Sequence, residues 1–330
     1  MVMSVADISH GYHWIGRSAW RSGREIAAMR VFVTGASGWI GSATVDELLA
    51  AGHEVTGLAR SDASAAALEA KGAHVRRGDL DDLASIRAGA EAAEAVIHLA
   101  NKHDFSNPAV SAAAERGAVQ TIGDALIGTN RPFLLASGVA GLGGGRPATE
   151  NDPSPFHGPD APRGGSENLA LEFVDRGVHT VSLRFAPTVH GFGDHGFIAT
   201  IAAVAREKGV SGYPGDGTHR WAAVHRSDAA RLVVLGLAKA PAGARLHAVA
   251  EEGVSARDIA EAIGRALDLP VTSIPADDVQ DHFGWIGMFF SMDLIATSVA
   301  TRELLGWQPE GPTLIEDIAA GAYSAPAPQA

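Results

Sequence analysis

Three glycines fix what the first part of this chain can become. The stretch Val31-Phe32-Val33-Thr34-Gly35-Ala36-Ser37-Gly38-Trp39-Ile40-Gly41 opens with four apolar or β-branched residues, which read as a buried strand. Glycines then recur at G-x-x-G-x-x-G spacing and lead into a helix with Ile40, Val45, Leu48 and Leu49 on its apolar positions, closed by Gly52. Gly35 permits a tight turn off the strand, Gly38 lets a pyrophosphate reach bare backbone, and Gly41 lets helix and strand pack closely. The free N–H groups of Ser37, Trp39 and Ile40 and the positive end of the helix dipole would face the anion. A dinucleotide is therefore the expected ligand.

The rest of the chain repeats the alternation. Strands are expected at 53–59, 73–77, 95–99, 133–137, 178–185 and 245–249, with helices between them. Such spacing gives right-handed crossovers and a parallel sheet. Residues 138–162 break the rhythm with Gly141, Gly143, Gly144 and Gly145 and with five prolines, as a lid or binding loop would. From Ala186 the chain becomes loop-rich, and Ser255 followed by Asp258 opens a helix in the manner of a capping box. The expected plan is a dinucleotide domain over 29–185 with a return segment at 222–250. A smaller, discontinuous substrate lobe takes 186–221 and 251–325. Residues 1–28 read as an extension outside the core; their Arg17, Arg21 and Arg24 form at most a basic arm over the cofactor.

The net charge of −12 disfavours nucleic acid and anionic membrane surfaces as partners, leaving a small molecule and, for assembly, a second copy of the chain. Any anionic ligand must be held by local cations and backbone dipoles. The chain has no cysteine, which removes thiol nucleophiles and Cys-based zinc sites, and a cytoplasmic address is the default expectation. His190 and His195 lie five apart without a third ligand pattern, so no metal site is expected. At the end of the second strand, where a carboxylate would bind the ribose 2′-OH of NAD, stand Arg60, Ser61 and Ser64. A guanidinium and hydroxyls suit a 2′-phosphate, so NADP(H) is expected over NAD(H). A merely solvated strand-end cation is the alternative for Arg60.

Together these features resemble the extended short-chain dehydrogenase/reductases, the NAD-dependent epimerase/dehydratase-like family, over residues 30–320. The resemblance implies an α/β fold, a doubly wound parallel-sheet Rossmann domain with a smaller C-terminal lobe. Gly78-Asp79-Leu80 is similar to the family turn whose Asp contacts the adenine. Val96-Ile97-His98-Leu99-Ala100, with Asn101 after it, is similar to the fourth strand beside the cofactor ribose. Arg184-Phe-Ala-Pro187-Thr-Val189-His-Gly191 is similar to the segment against the nicotinamide.

The family's chemistry rests on a Tyr-x-x-x-Lys pair with a Ser or Thr behind it. Here Arg163 stands in the tyrosine position and Glu167 in the lysine position, with Ser137-Gly138 on the preceding strand. None of the three tyrosines begins a Tyr-x-x-x-Lys. Arg163 can stabilise an oxyanion but is a poor proton donor. Glu167 can accept bonds from ribose hydroxyls; alternatively the two form a surface ion pair four apart on one helix. His225 titrates near neutrality and is the candidate proton donor, unless it is simply tucked where the chain re-enters the sheet. Phe192, Phe197, Trp221 and 283–290 either line an apolar pocket or form core. The expected activity is NADPH-dependent reduction of a small carbonyl, imine or activated alkene. A non-catalytic NADP(H) sensor and an epimerase or isomerase are the alternatives.

Overall fold

The computed structural model describes residues 27–102, 104 and 107–325; the proposed basic arm and the C-terminal tail from 326 lie outside them. Its elements in chain order are β1 (Arg30–Thr34), α1 (Trp39–Ala50), β2 (Glu54–Ala59), α2 (Asp62–Ala70), β3 (His74–Arg77), α3 (Leu83–Ala92), β4 (Ala95–His98), α4 (Pro108–Leu126), β5 (Pro132–Gly138), α5 (Ser166–Glu172), β6 (His179–Phe185) and β7 (Thr188–His190). There follow α6 (Phe197–Lys208), β8 (Ser211–Pro214), β9 (Arg220–His225), α7 (Arg226–Lys239), β10 (Arg245–Ala248), β11 (Glu251–Ser255), α8 (Ala256–Leu267) and β12 (Val271–Ile274). Four short helices end the chain, α9 (Val279–Phe283), α10 (Trp285–Phe290), α11 (Val299–Leu305) and α12 (Leu314–Ala319).

Seven strands form one parallel sheet in the order β3-β2-β1-β4-β5-β6-β10. The period-two alternation of each strand sorts side chains to two faces. Val31, Val33, Val55, Ile97, Val181 and Leu183 face one core with Val45 and Leu48 of α1 and Leu232 and Val233 of α7. Phe32, Val96, Phe133 and Leu135 face the other, under Ile86 of α3 and Val119 and Ile122 of α4. Phe32 and Phe133 are fully buried, each contributing roughly 2–3 kcal/mol of apolar transfer. The strand order reverses between β1 and β4, and in open α/β sheets such a switch point, beyond the carboxyl ends of the strands, is where a ligand cleft is expected.

Local chemistry sets the helix ends. Ser61 caps α2 by accepting from Ser64 N, Asp82 caps α3, and Ser255 caps α8 by accepting from Asp258 N. Thr313 and Glu316 close a reciprocal capping box on α12.

The remainder packs as a second unit on a three-stranded sheet, β11-β9-β7, and a two-stranded one, β12-β8. Its core is the aromatic group singled out in the sequence: Trp221, Phe283 and Phe290 are buried, and Phe197 packs against Trp221 and Phe289. Phe192, by contrast, is exposed. Leu305 and Trp307 join the large-sheet core, so the segment around α11 packs with the dinucleotide domain. Among the described residues no helix is long and apolar enough to cross a membrane.

Candidate functional site

The glycine loop is built as its spacing implies. Gly35 has φ +68°, and a Cβ there would sit 2.7 Å from the backbone N of Ala100, so the loop packs directly on 99–100. A Cβ on Gly41 would come within 2.0 Å of the Gly35 carbonyl, which forces glycine where α1 crosses the turn. Gly38 differs. A Cβ there meets only the Gly35 carbonyl at 3.2 Å, and no side chain caps α1. The first turn of α1 also carries no acidic residue. Its open N–H groups, bare backbone and unopposed dipole fit a pyrophosphate.

Trp39 then ties this loop to the second lobe. Its Nε1 donates to the Val189 carbonyl at 2.7 Å, and Arg226 stacks on the indole at 4.2 Å while its Nε donates to the Trp39 carbonyl. The structure thus brings together Gly35, Ser37, Gly38, Trp39, Ile40, Gly41, Leu99, Ala100 and the strand of Val189 that follows Pro187.

At the end of β2, Arg60 is exposed and joins no hydrogen bond or ion pair with another described residue. Asp62, the carboxylate that argues against a phosphate there, is paired with Arg77 at the end of β3, and Arg77 also donates to the Ser61 carbonyl at 2.6 Å. Arg77 is a residue the sequence reading missed; the parallel pairing Ala59↔Arg77 is what brings it there. Asp79 spends one carboxylate oxygen on the backbone N–H groups of Asp81 and Asp82, forming its own turn beside buried Leu80.

Around Arg163 and Glu167 the structure corrects the sequence reading. They do not share a helix face, and they do not pair with each other. Arg163 (φ +54°), Gly164 (φ +62°) and Gly165 (φ +62°) form a left-handed turn ahead of α5. Left-handed conformation costs a residue with a Cβ about 1–2 kcal/mol, and several bonds hold it. Arg163 Nε and Nη2 grip both oxygens of Glu115 on α4, at 3.1 and 2.6 Å, and Nη2 also donates to the Ala136 carbonyl. Arg116 donates to the Gly164 carbonyl, and a Cβ on Gly164 would meet the Ala112 carbonyl at 2.7 Å. Glu115 is 1% exposed and takes a third bond from Asn101 Nδ2 at 2.6 Å. It was not singled out in the sequence. Its signal was a carboxylate on the stripe Ala112, Ala118, Val119, Ile122 that α4 buries.

Glu167 is likewise buried and committed. One oxygen accepts from Arg184 Nε (2.7 Å) and Ser182 Oγ (3.0 Å), and the other accepts from Ser137 Oγ (3.0 Å). At 6% exposure, with these bonds in place, it is closed to ribose hydroxyls. That role is withdrawn. Ser137 remains partly exposed at the end of β5, beside this buried pair.

His225 belongs elsewhere. Its Nδ1 caps α7 through Ser227, its ring lies 5.6 Å from His190, and burial holds its pKa below the usual value. No hydrogen bond or ion pair joins it to Ser137, Arg163 or Glu167; it sits where β9 runs into α7, beside Gly191 and Trp39. His190 bonds Asp317 at 2.6 Å, and His195 packs edge-on to Trp39. Among the described residues no three His, Asp or Glu side chains are grouped to hold a metal. A buried group the sequence reading passed over is His98: Nδ1 meets Thr34 Oγ1 at 2.7 Å, Nε2 has no partner, and burial, with Arg163 adding to it, pushes its pKa down to about 3.

Comparison with known proteins agrees with this architecture. An uncharacterized protein of Schizosaccharomyces pombe is 45% identical over 296 residues, covering 89% of this chain and all of that one. A ketoreductase of Stigmatella aurantiaca, acting on a farnesylated dihydroquinoline oxide, is 27% identical over 236 residues, 65% of this chain and 66% of its own. The UDP-glucose 4-epimerase of Thermus thermophilus, solved with NAD, superposes with a TM-score of 0.69 at 22% identity, covering 90% of this chain and 99% of that one. The profile of the NAD dependent epimerase/dehydratase family matches residues 31–249, from β1 to just past β10. The chain belongs to the NAD-dependent epimerase/dehydratase family.

Proposed function

We propose that this protein is an NADP(H)-dependent reductase of a small carbonyl, imine or activated alkene. The observation that carries the cofactor preference is the cationic end of β2: Arg60 is unpaired, Arg77 stands beside it, and Asp62 is held by Arg77. A 2′-phosphate would meet the Arg60 guanidinium and the Ser61 and Ser64 hydroxyls there, with the charge of Asp62 offset by Arg77. When bound, the cofactor supplies the hydride.

The protein supplies orientation and charge. Among the described residues Arg163 Nη1 has no hydrogen-bond partner while Glu115 fixes the rest of its fork, so it can receive ribose oxygens or a developing negative charge. Ser137 presents its hydroxyl oxygen at the same strand end. Neither described tyrosine joins them. Tyr323 donates to Asp194, and Tyr213 lies under Arg257 on β8. The ketoreductase relative is consistent with reduction.

The test follows NADPH absorbance across a panel of ketones, cyclic imines and enones after binding is established by fluorescence. Consumption with at least one class, lost by about tenfold or more in Arg163→Lys, is the expected result. Tight NADPH binding with no consumption anywhere would instead favour a non-catalytic sensor, the reading suggested by the missing Tyr-x-x-x-Lys pair.

A further inference from the structure

A serine hydroxyl has one proton to give, and in Ser137 that proton is already placed. Glu167 Oε1 is held by Arg184 Nε and Ser182 Oγ, and Arg245 Nε lies 4.0 Å away. The 3.0 Å contact between Ser137 Oγ and Glu167 Oε2 is Ser137 donating to the carboxylate. What Ser137 offers the cleft is therefore lone pairs alone. A carbonyl oxygen above it would face another acceptor, and an N–H would be matched.

A second observation points the same way. The site groups Ser137, Arg163, Glu167, Glu115 and Asn101, and none of these can readily deliver a proton: two are paired carboxylates, one a guanidinium, one an amide, and the serine is committed. Arg163 is matched by Glu115, and Glu167 by Arg184, so each of these two guanidiniums has a carboxylate counter-ion. The whole chain, at −12, attracts one.

We propose that Glu167 fixes the polarity of Ser137 so that the cleft takes a protonated imine, whose reacting nitrogen carries an N–H, in preference to a carbonyl. This rests on the reductase reading above and narrows it. The balance closes without an acid. The iminium carbon takes hydride from NADPH with both its electrons, the C=N π pair withdraws onto nitrogen, and the products are a neutral amine and NADP⁺. Glu167 is here a positioning residue, acting through Ser137.

Glu167→Gln inverts the arrangement with little change in shape. Arg184 and Ser182 are both donors, so the amide oxygen must stay toward them, and the amide nitrogen then donates to Ser137. Ser137 is freed to donate into the cleft. The probes are two isosteric rings, methylpyrrolidine (protonated, N–H) and methyltetrahydrofuran (ether oxygen), titrated calorimetrically against the protein–NADP⁺ complex. Methylpyrroline and cyclopentanone serve as turnover substrates with NADPH.

Wild type is expected to bind the amine about tenfold or more tighter than the ether and to reduce methylpyrroline over cyclopentanone by a similar factor. Glu167→Gln is expected to reverse the binding order. Ser137→Ala, which removes the acceptor without touching Arg184, is expected to shrink the preference severalfold and covers the case in which Glu167→Gln does not fold. Equal binding of the two rings by wild type, or an unchanged preference in Ser137→Ala, overturns the proposal. Reduction of cyclopentanone but not methylpyrroline overturns it while leaving the reductase reading intact. An amine preference that survives with no turnover of any compound supports the polarity of Ser137 and refutes the reductase reading.

Discussion

Cutting the Arg163–Glu115 pair from its two ends should give very unequal results. Arg163→Ala leaves Glu115, 1% exposed, as a buried carboxylate with only Asn101 to bond it. Breaking a buried pair in this way costs about 3–5 kcal/mol. The backbone gains nothing in return, because alanine is as strained at φ +54° as arginine. Glu115→Ala removes the buried charge itself. The guanidinium left behind has a side chain 37% exposed and can be solvated, and alanine suits mid-helix α4, so about 1–2 kcal/mol is expected. The double variant should then be more stable than Arg163→Ala alone. Urea unfolding followed by circular dichroism, with all four proteins at one pH, measures the cycle. Equal costs for the two single variants, or a double variant equal to their sum within about 0.5 kcal/mol, would refute the reasoning.

Two further outcomes follow from the same structure. Gly41→Ala places a Cβ 2.0 Å from the Gly35 carbonyl, so α1 must back away from the turn; NADPH affinity should fall by about a hundredfold or more in protein that keeps its circular dichroism, and a loss under about threefold would speak against the packing role. His98 is folded with its pKa near 3, far below the unfolded value near 6.5. The unfolded chain therefore takes up the proton first as pH falls, and stability held above pH 6.5 is lost on the way down toward pH 3. Each such histidine contributes a slope of up to about 1.4 kcal/mol per pH unit. His98→Asn keeps a partner for Thr34 and removes the titration, so urea midpoints between pH 6.5 and 5 should vary less steeply with pH than in wild type; an unchanged slope would contradict this. His53 and His247, also lowered by burial, act in the same sense, whereas Glu47, Asp194 and Glu251, raised by burial, act in the opposite one.

What could be read from the sequence was what is written locally. The strand–glycine–helix opening, the alternation of strands and helices along the chain and the cap at Ser255 depend on neighbours within a few residues, and each is where the spacing put it. The site depends on partners far apart in the chain. Arg163 reads as the partner of Glu167 when only spacing is visible, yet each finds its counter-ion across the fold, Glu115 at 48 residues' separation and Arg184 at 17. The left-handed turn was foreshadowed only by Gly164-Gly165. Arg77 joins Arg60 only because β2 and β3 pair in parallel. His225 drew attention as a titrating residue, and its position at the start of α7 gave it a capping role instead.

The claim on which the rest depends is that this cleft holds NADP(H) through Arg60. Dissociation constants of NADPH and NADH, measured by fluorescence for wild type and Arg60→Asp at one ionic strength, test it directly. The account predicts that wild type binds NADPH about tenfold or more tighter than NADH. It also predicts that Arg60→Asp weakens NADPH by at least that factor while leaving NADH within about threefold. An equal loss for both cofactors, or a wild type that binds them alike, would contradict it.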